Sequence, residues 1–202
     1  TTNNGSGGSS TGDGTVNFGA GSVISFTNAA ANPALTIDGN AYTLLSSASQ
    51  LSSVISWGYY ALATDLDAAS LGTHTSSPIS SFSGTFNGLG HTISNLTVHN
   101  TTSLYTGLFA QNYGIIENLG LIDANLTNTL YKGETGAIAG ENDNLIQNAY
   151  ATVNLTGLNT ISNFVGGLVG INQGTLVSVY SQGQISSATG NTGGIAGYNN
   201  NI

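Results

Sequence analysis

One eight-residue phrase occurs four times in this chain at nearly constant spacing. The copies read GLFAQNYG at 107–114, AIAGENDN at 137–144, GLVGINQG at 167–174 and GIAGYNNN at 194–201. Their shared asparagines, Asn112, Asn142, Asn172 and Asn199, follow one another at steps of 30, 30 and 27 residues. A repeat of this length is a unit that cannot bury its apolar side alone and must stack on its neighbours. The sequence therefore predicts a solenoid.

Turn residues and short apolar pairs alternate within each repeat. Two residues after each shared asparagine stands a glycine or asparagine, a residue type that tolerates positive φ, so left-handed corners are predicted at Gly114, Asn144, Gly174 and Asn201. A short strand is predicted after each of the first three corners, at Ile115-Ile116, Leu145-Ile146 and Leu176-Val177. Strands this short, repeating every 30 residues or so, favour an all-β fold: a right-handed parallel β-helix with about one coil per repeat.

Two further features of the repeats concern contact between coils. Asn118, Asn148 and Ser178 recur in step, and equivalent asparagines are expected to hydrogen-bond along the stack. The pairs Gly166-Gly167 and Gly193-Gly194 have two interpretations, a close approach of successive coils, which is favoured, or plain loop glycines.

The chain before the repeats is less regular. Residues 1–14 form a Gly/Ser/Thr-rich extension, and 15–202 are predicted to be a single solenoid with irregular coils at 15–104 and repeats at 105–202. Short strands are expected at 16–18, 23–26 and 35–37, with turns at 19–21, Asn32-Pro33 and Asp38-Gly39. Residues 47–55 predict a helical turn or two, with Ser47 as N-cap and Leu51, Val54 and Ile55 on one face.

Composition excludes several classes of function. The 202 residues include one lysine and no arginine against nine Asp or Glu, so the formal net charge is -8. Binding to nucleic acid or to anionic membranes depends on clustered cations, which excludes both as partners. The chain has no Cys, which excludes disulfides and thiolate metal sites. Packing and backbone hydrogen bonds must therefore hold the fold together.

Two observations bear on targeting. No run of about 18 apolar residues is present, so membrane insertion is not predicted. The first residues also lack the basic start and apolar stretch of a secretory signal and have no initiator Met, and we expect a processed product or a piece of a longer exoprotein.

The repeats resemble a known family. Residues 107–198 resemble the GLUG repeat, and 165–186 (VGGLVGINQGTLVSVYSQGQIS) is close to its consensus. Segments 60–68 (YALATDLDA) and 82–96 (FSGTFNGLGHTISNL) resemble the block that precedes such repeats in filamentous-haemagglutinin-like bacterial surface adhesins. Together these stretches cover roughly residues 40–200. The resemblance implies a secreted or cell-surface β-helix and no catalytic residue.

Charged residues offer few candidates for chemistry. Polysaccharide lyases share the β-helix and use cations near the substrate carboxylate, but Lys132 is the only cation, and a solvated lysine paired loosely with Glu134 is favoured. Asp65 and Asp67 alternate, so in a strand they share one face and could chelate calcium, but turn and surface roles are favoured.

Acidic residues also lie near the repeat corners. These are Glu117, Glu141 and Asp143, but Gln147 occupies the place equivalent to Glu117, which disfavours a repeated metal ladder. We therefore predict no metal site and no cofactor.

Histidine and serine add no catalytic candidate. His74, His91 and His99 lack a metal-binding spacing, and a hydrogen-bonded turn histidine is favoured over a metal ligand at His91 and His99. No G-x-S-x-G elbow is present, so no catalytic residue is predicted.

Five sequons occur, at Asn4, Asn95, Asn100, Asn125 and Asn154. The NLT copies at 95, 125 and 154 have two interpretations. They carry a row of glycans on one face of the solenoid, or they recur only because Asn and Thr are abundant and the repeats copy them.

The favoured function is a non-enzymatic, extracellular structural solenoid, secreted or on the cell surface, as part of an adhesin stalk or of a self-associating filament or sheath. Its partners would be other copies or adjoining coils of a longer chain, because 197–202 end halfway through a repeat without a polar cap. Surface glycans or receptors are the further expected partners. The alternatives are a glycan-binding module that uses Trp57, Tyr59, Tyr60 or Tyr105, and a polysaccharide lyase or hydrolase.

Overall fold

The computed structural model describes residues 22–26, 34–157, 164–187 and 190–200, which form a nearly all-β fold. Two 3-10 helices, Ala48–Ser53 and Ala69–Leu71, interrupt the strands. The strands are β1 (Leu35–Ile37), β2 (Asn40–Leu45), β3 (Tyr59–Leu62), β4 (Leu66–Asp67), β5 (Thr73–His74), β6 (Ile79–Phe82), β7 (Thr85–Asn87), β8 (Thr92–Ser94), β9 (Thr97–Asn100), β10 (Tyr105–Thr106), β11 (Phe109–Asn112), β12 (Ile115–Asn128), β13 (Glu134–Gly136), β14 (Ala139–Asn142), β15 (Leu145–Gly157), β16 (Phe164–Gly166), β17 (Val169–Asn172), β18 (Thr175–Val177), β19 (Tyr180–Ser187), β20 (Asn191–Gly193) and β21 (Ala196–Asn199).

Successive coils stack through parallel sheets. One sheet contains β6, β11, β14, β17 and β21, a second contains β10, β13, β16 and β20, and the largest includes β2, β3, β7, β12, β15 and β18. In the described ranges every strand pair is parallel except the β1–β2 hairpin. Asn142 lies opposite Asn112 and Asn172, and Asn172 lies opposite Asn199. The predicted fold class is therefore confirmed, and the shared asparagines of successive repeats lie in register: this is a parallel β-solenoid of about four turns.

The core is a column of equivalent side chains. Phe86, Ile116 and Ile146 stack one above another and are fully buried, and Leu176 continues the column with partial exposure. The Phe109 ring lies 5.4 Å from the Phe82 ring and 5.3 Å from the Phe86 ring, measured between centroids. Because each buried apolar side chain contributes about 1.5–3 kcal/mol, a coil gains most of its stability from its neighbours.

The left-handed residues lie one bend later than predicted. Asn118, Asn148 and Ser178 have φ values of 53°, 49° and 51°. Gly114, Asn144 and Gly174 are not left-handed, so that prediction was wrong at all three, while Asn201 lies outside the described residues.

Glycine at position 114 serves close packing between coils. A Cβ at Gly114 would overlap the Gly84 carbonyl oxygen of the preceding coil, and one at Gly174 would overlap the Asn144 carbonyl oxygen. The same close approach explains two of the paired glycines, Gly166 and Gly167. A Cβ at Gly193 would instead overlap the Ala196 carbonyl oxygen of its own coil, and one at Gly194 would meet nothing within 4 Å.

The first coils carry an added covering layer. Asp38-Gly39, with φ values of 49° and 78°, forms the predicted turn between β1 and β2. Residues 22–26 do not form the predicted strand, because they cross coils: Ile24 N donates to Leu89 O (3.0 Å) and Phe26 N to Ala63 O (3.1 Å). This segment and β1 cover a small apolar cluster of Leu44, Ala61, Ala63 and Leu89. The predictions at 1–14, 16–18, 19–21 and Asn32-Pro33 lie outside the described residues.

The predicted helical turn is a 3-10 helix. Ser47 is its N-cap, and its backbone N–H donates to Gln50 Oε1 at 3.0 Å. Leu51 is buried and Val54 packs on the core, but Ile55 is 53% exposed, so its placement on the core face was wrong.

A matched glycine pair tests the close contact between coils. We expect Gly114→Ala to lower the free energy of unfolding by about 1–3 kcal/mol, because the new methyl group overlaps backbone that cannot move aside. Gly194→Ala should change it by less than about 0.5 kcal/mol. Urea denaturation measures both, and equal effects would contradict the contact.

Candidate functional site

A ladder of buried asparagines runs along the solenoid interior. Asn112 Nδ2 donates to Asn142 Oδ1, Asn142 Nδ2 to Asn172 Oδ1 and Asn172 Nδ2 to Asn199 Oδ1, each at 2.7 Å. Asn112 and Asn142 are fully buried. Each amide also hydrogen-bonds its own corner, as Gly114 N donates to Asn112 Oδ1 at 3.1 Å. A side chain in one coil thus completes its hydrogen bonding only through the next.

The ladder predicted at the following bend also forms. Asn148 Nδ2 donates to Asn118 Oδ1 (3.2 Å), and Asn118 Nδ2 donates to Asn87 Oδ1 (3.1 Å). The Asn118–Asn148 contact is confirmed, and Asn87 extends it into a coil where no asparagine was expected to take part.

Two carboxylates lie between amides of neighbouring coils. Asn87 and Gln147 donate to opposite oxygens of Glu117, at 2.7 and 2.8 Å. Gln111 and Gln173 donate to opposite oxygens of Glu141, also at 2.7 and 2.8 Å. Glu117 does stand opposite Gln147, as predicted. These glutamates therefore join coils through neutral partners.

A third glutamate lacks such partners. Burial and the neighbouring Glu141 carboxylate raise the pKa of Glu134 to about 7. Its Oε2 is enclosed and has no hydrogen-bond partner among the described residues. Burial and Glu141 also raise the pKa of Asp143. Glu134, Glu141 and Asp143 thus form an acidic corner whose stability is expected to depend on pH near neutrality through Glu134.

The coil formed by β18 to β21 presents an open edge. Among the described residues each of these strands pairs on one side only. Leu176, Ile185, Ile195 and Ala196 belong to the core but are only partly buried. A hollow of ≈ 480 Å³ lies there, lined in part by Leu176, Ile195 and Ala196. The edge therefore offers a further coil both an apolar surface to cover and strands with which to pair.

Three side chains have the connectivity of a serine-hydrolase triad. His91 is buried; its Nδ1 lies 3.2 Å from Asp65 Oδ1 and its Nε2 lies 3.3 Å from Ser25 Oγ. Nε2 also lies 3.1 Å from the Ile24 carbonyl oxygen, which favours an N–H at this nitrogen. A general base must present a lone pair there. The imidazole is instead suited to fasten residues 22–26 to the coil.

Asp65 and Asp67 act as turn acceptors, the roles favoured for them. Asp65 Oδ1 accepts from Thr92 N at 2.8 Å, and although burial acts in the opposite direction, this bond and His91 lower the pKa of Asp65. Asp67 Oδ1 accepts from Asn95 Nδ2 and Ala69 N, both at 2.9 Å, and these bonds lower the pKa of Asp67.

The remaining charged candidates are not brought together. Lys132 is exposed with its Nζ 5.8 Å from the Tyr131 ring centroid, and no ion pair joins it to Glu134 in the described ranges. The expected loose pairing with Glu134 is therefore absent. His99 is exposed whereas His91 is buried, and His74 is half-buried on β5. No group of three or more His, Asp or Glu among the described residues is arranged to hold a metal ion.

The sequons occupy different environments. Asn125 and Asn154 are exposed and lie opposite each other on β12 and β15, but Thr97, not Asn95, continues this row. The step between them is 29 because β12 has an irregularity between Leu121 and Ala124.

The three remaining sequons are at Asn100, Asn95 and Asn4. Asn100 is fully buried, and its Nδ2 donates to Ser103 O, Tyr105 O and Thr106 Oγ1, so a glycan on this nitrogen would disrupt the corner. Asn95 is exposed, and Asn4 lies outside the described residues. Glycosylation stays a prediction.

The fold places the chain in the class of parallel β-solenoids. No family model matches the chain, and no solved structure matches it. A stretch of 113 residues, 55% of the chain, is 35% identical to Halomucin from Haloquadratum walsbyi. The chain spans about 1% of the length of that protein. Fold and similarity are compatible with a structural role outside the cell. No helix among the described residues has the length and apolarity needed to cross a membrane.

The buried ladder predicts a large effect of one asparagine. We expect Asn142→Ala to lower the free energy of unfolding by about 2–3 kcal/mol, since it leaves buried amide groups of Asn112 and Asn172 without their partner. The exposed Asn154→Ala should change it by less than about 0.5 kcal/mol. Chemical denaturation of both variants provides the comparison, and a neutral Asn142→Ala would refute the ladder's role.

The acidic corner predicts a stability that declines with rising pH. Because the folded pKa of Glu134 is raised to about 7 from 4.5, its contribution is present below pH 4.5 and is lost as pH rises through 7. We expect Glu134→Gln to be more stable than the parent at pH 8 by about 1 kcal/mol, a value that allows for solvent screening. Asp123→Asn, at an exposed carboxylate, is the control. Thermal unfolding at pH 5 and pH 8 should show a clearly smaller difference between parent and Glu134→Gln at pH 5 than at pH 8, because most of the loss occurs between the two; a constant difference would contradict this assignment.

Proposed function

We propose that this chain is a non-enzymatic structural β-solenoid of the cell surface, part of an adhesin stalk or of a self-associating filament. The observation that carries the proposal is the unbroken stack of parallel coils from β2 to β21. Such a rod transmits load through many backbone ladders at once. The partial similarity to Halomucin supports a place outside the cell.

The open edge of β18 to β21 provides the means of association. A further coil, from another copy or from an adjoining part of a longer chain, would pair with these strands and cover Leu176 and Ile195. In the same register its asparagine would lie opposite Asn199, as Asn172 does within the chain. Stacking would then follow the rules that already join the coils within the chain.

The triad-like arrangement seen among the described residues does not support catalysis. The Ile24 carbonyl oxygen lies 3.1 Å from His91 Nε2, closer than Ser25 Oγ at 3.3 Å, and because a carbonyl oxygen only accepts, this nitrogen is suited to donate a proton and not to receive one from Ser25. Covalent labelling of Ser25 by a fluorophosphonate would contradict this part of the proposal.

Two neighbouring substitutions on β18 test association. Leu176 points into the core column, whereas Val177 is exposed on the outer side of the same strand. We expect Leu176→Lys to weaken end-to-end association of the chain about tenfold or more, because a charge then meets the apolar face of the incoming coil. Val177→Lys should leave it unchanged. Sedimentation velocity with electron microscopy measures this, and circular dichroism checks folding. A monodisperse parent chain at all concentrations would contradict self-association.

A further inference from the structure

We propose that a furrow along one corner of the solenoid binds a neutral, linear glycan. Its floor is the backbone of Gly58, Gly84 and Gly114, which lie in register in three successive coils. With coils about 4.8 Å apart, the floor is about 10 Å long, comparable with a disaccharide. The furrow encloses ≈ 380 Å³, within the usual range for small-molecule sites.

The furrow is a consequence of the stacking itself. A Cβ at Gly84 would overlap the Gly58 carbonyl oxygen, and one at Gly114 would overlap the Gly84 carbonyl oxygen. No side chain fits at either place without separating the coils. The floor is therefore kept bare by the same contacts that hold the solenoid together.

Trp57 stands beside this floor and is 70% exposed. The loop that carries it is held from both sides: Ile55 N donates to the Tyr60 hydroxyl at 3.2 Å, and Ser83 N donates to Ser56 O at 2.6 Å. An exposed indole on a fixed loop offers a flat apolar surface with little ordering cost on binding. Such a surface suits the C–H face of a sugar ring.

The chemistry of the furrow selects against other ligands. None of the residues that line it is charged, and the chain as a whole carries a net charge of -8, so an anionic polymer would be repelled. A peptide strand would need free backbone groups, but the floor carbonyls of Gly58, Gly84 and Gly114 already accept from Thr85 N, Ile115 N and Leu145 N, at 2.9, 2.9 and 3.2 Å.

The groups that a ligand can contact in the furrow are uncharged side chains. Ser83, Thr85 and Asn144, which carry hydroxyl and amide groups, line the furrow beside Trp57 and Tyr59, and Asn144 Nδ2 also donates to Tyr113 O at 3.0 Å. Hydroxyl and amide groups exchange hydrogen bonds with sugar hydroxyls, while the rings contact the sugar faces. This combination fits a neutral glycan better than either a peptide or a uronate polymer.

Tryptophan fluorescence tests the proposal directly, because Trp57 is the only tryptophan in the chain. Linear hexasaccharides of β-1,4-linked glucose, xylose and mannose are titrated beside hexagalacturonate. We expect a saturable change in emission with at least one neutral hexasaccharide and none with the anionic one.

Variants then locate the site. By calorimetry, Trp57→Ala should lower the affinity for the responding sugar about tenfold or more, while Tyr180→Ala should leave it unchanged. Tyr180 is also exposed, but it stacks on Tyr150 away from the furrow. No response to any neutral sugar, equal binding of hexagalacturonate, or full affinity in Trp57→Ala would overturn the proposal. So would an emission change that follows protein concentration alone, since a second copy would then cover the furrow.

Discussion

Each coil of this solenoid depends on the next one for its hydrogen bonds. Apart from the β1–β2 hairpin, the strand pairs of the described residues join different coils in parallel, so a coil by itself has no ladder. The buried asparagines follow the same rule, because Asn142 satisfies Asn112 and is satisfied by Asn172. Buried polar groups without partners are costly. Stacking is therefore a condition for folding as well as a means of elongation.

The same constraint fixes the register of the stack. A slip by one residue would move the asparagines off their partners and turn the core column of Phe86, Ile116 and Ile146 toward the outside. Glu117 and Glu141 add to this selection, since each carboxylate receives amides from the coils on both sides. An acidic chain with a single lysine thus places two of its carboxylates between neutral donors.

Close contact between coils also shapes the surface. The glycines at 84 and 114 are bare because the coils touch there, and together with Gly58 they form the floor of the furrow beside Trp57. The open edge at β18 to β21 arises from the same pairing rule applied to a coil with one described neighbour. The architecture and the two proposed binding surfaces therefore have a common physical origin.

Much of the fold was predictable because the spacing of the repeats in the sequence equals the spacing of the residues that pair between coils. The steps between Asn112, Asn142, Asn172 and Asn199 are the steps of the strand pairs. The left-handed positions were misassigned because glycine serves both positive φ and close approach, and sequence alone does not separate these uses at Gly114.

The Ser25–His91–Asp65 contact had no sequence signal, since its members are far apart in the chain and come from the covering segment and two coils. The furrow was likewise not predictable. Trp57 was a candidate for glycan binding, but the bare glycine floor depends on which glycines align between coils.

Disulfide trapping tests coil-over-coil stacking most directly, because the chain has no cysteine of its own. Asn125, Asn154 and Gln184 are exposed and lie opposite one another in three successive coils. Neighbouring coils place Cα atoms about 4.8 Å apart, within the reach of a disulfide, whereas two coils place them about 10 Å apart, beyond it. The account predicts rapid intramolecular disulfides in Asn125→Cys/Asn154→Cys and Asn154→Cys/Gln184→Cys, and none in Asn125→Cys/Gln184→Cys. Bond formation in the third pair, or its failure in the first two, would contradict it.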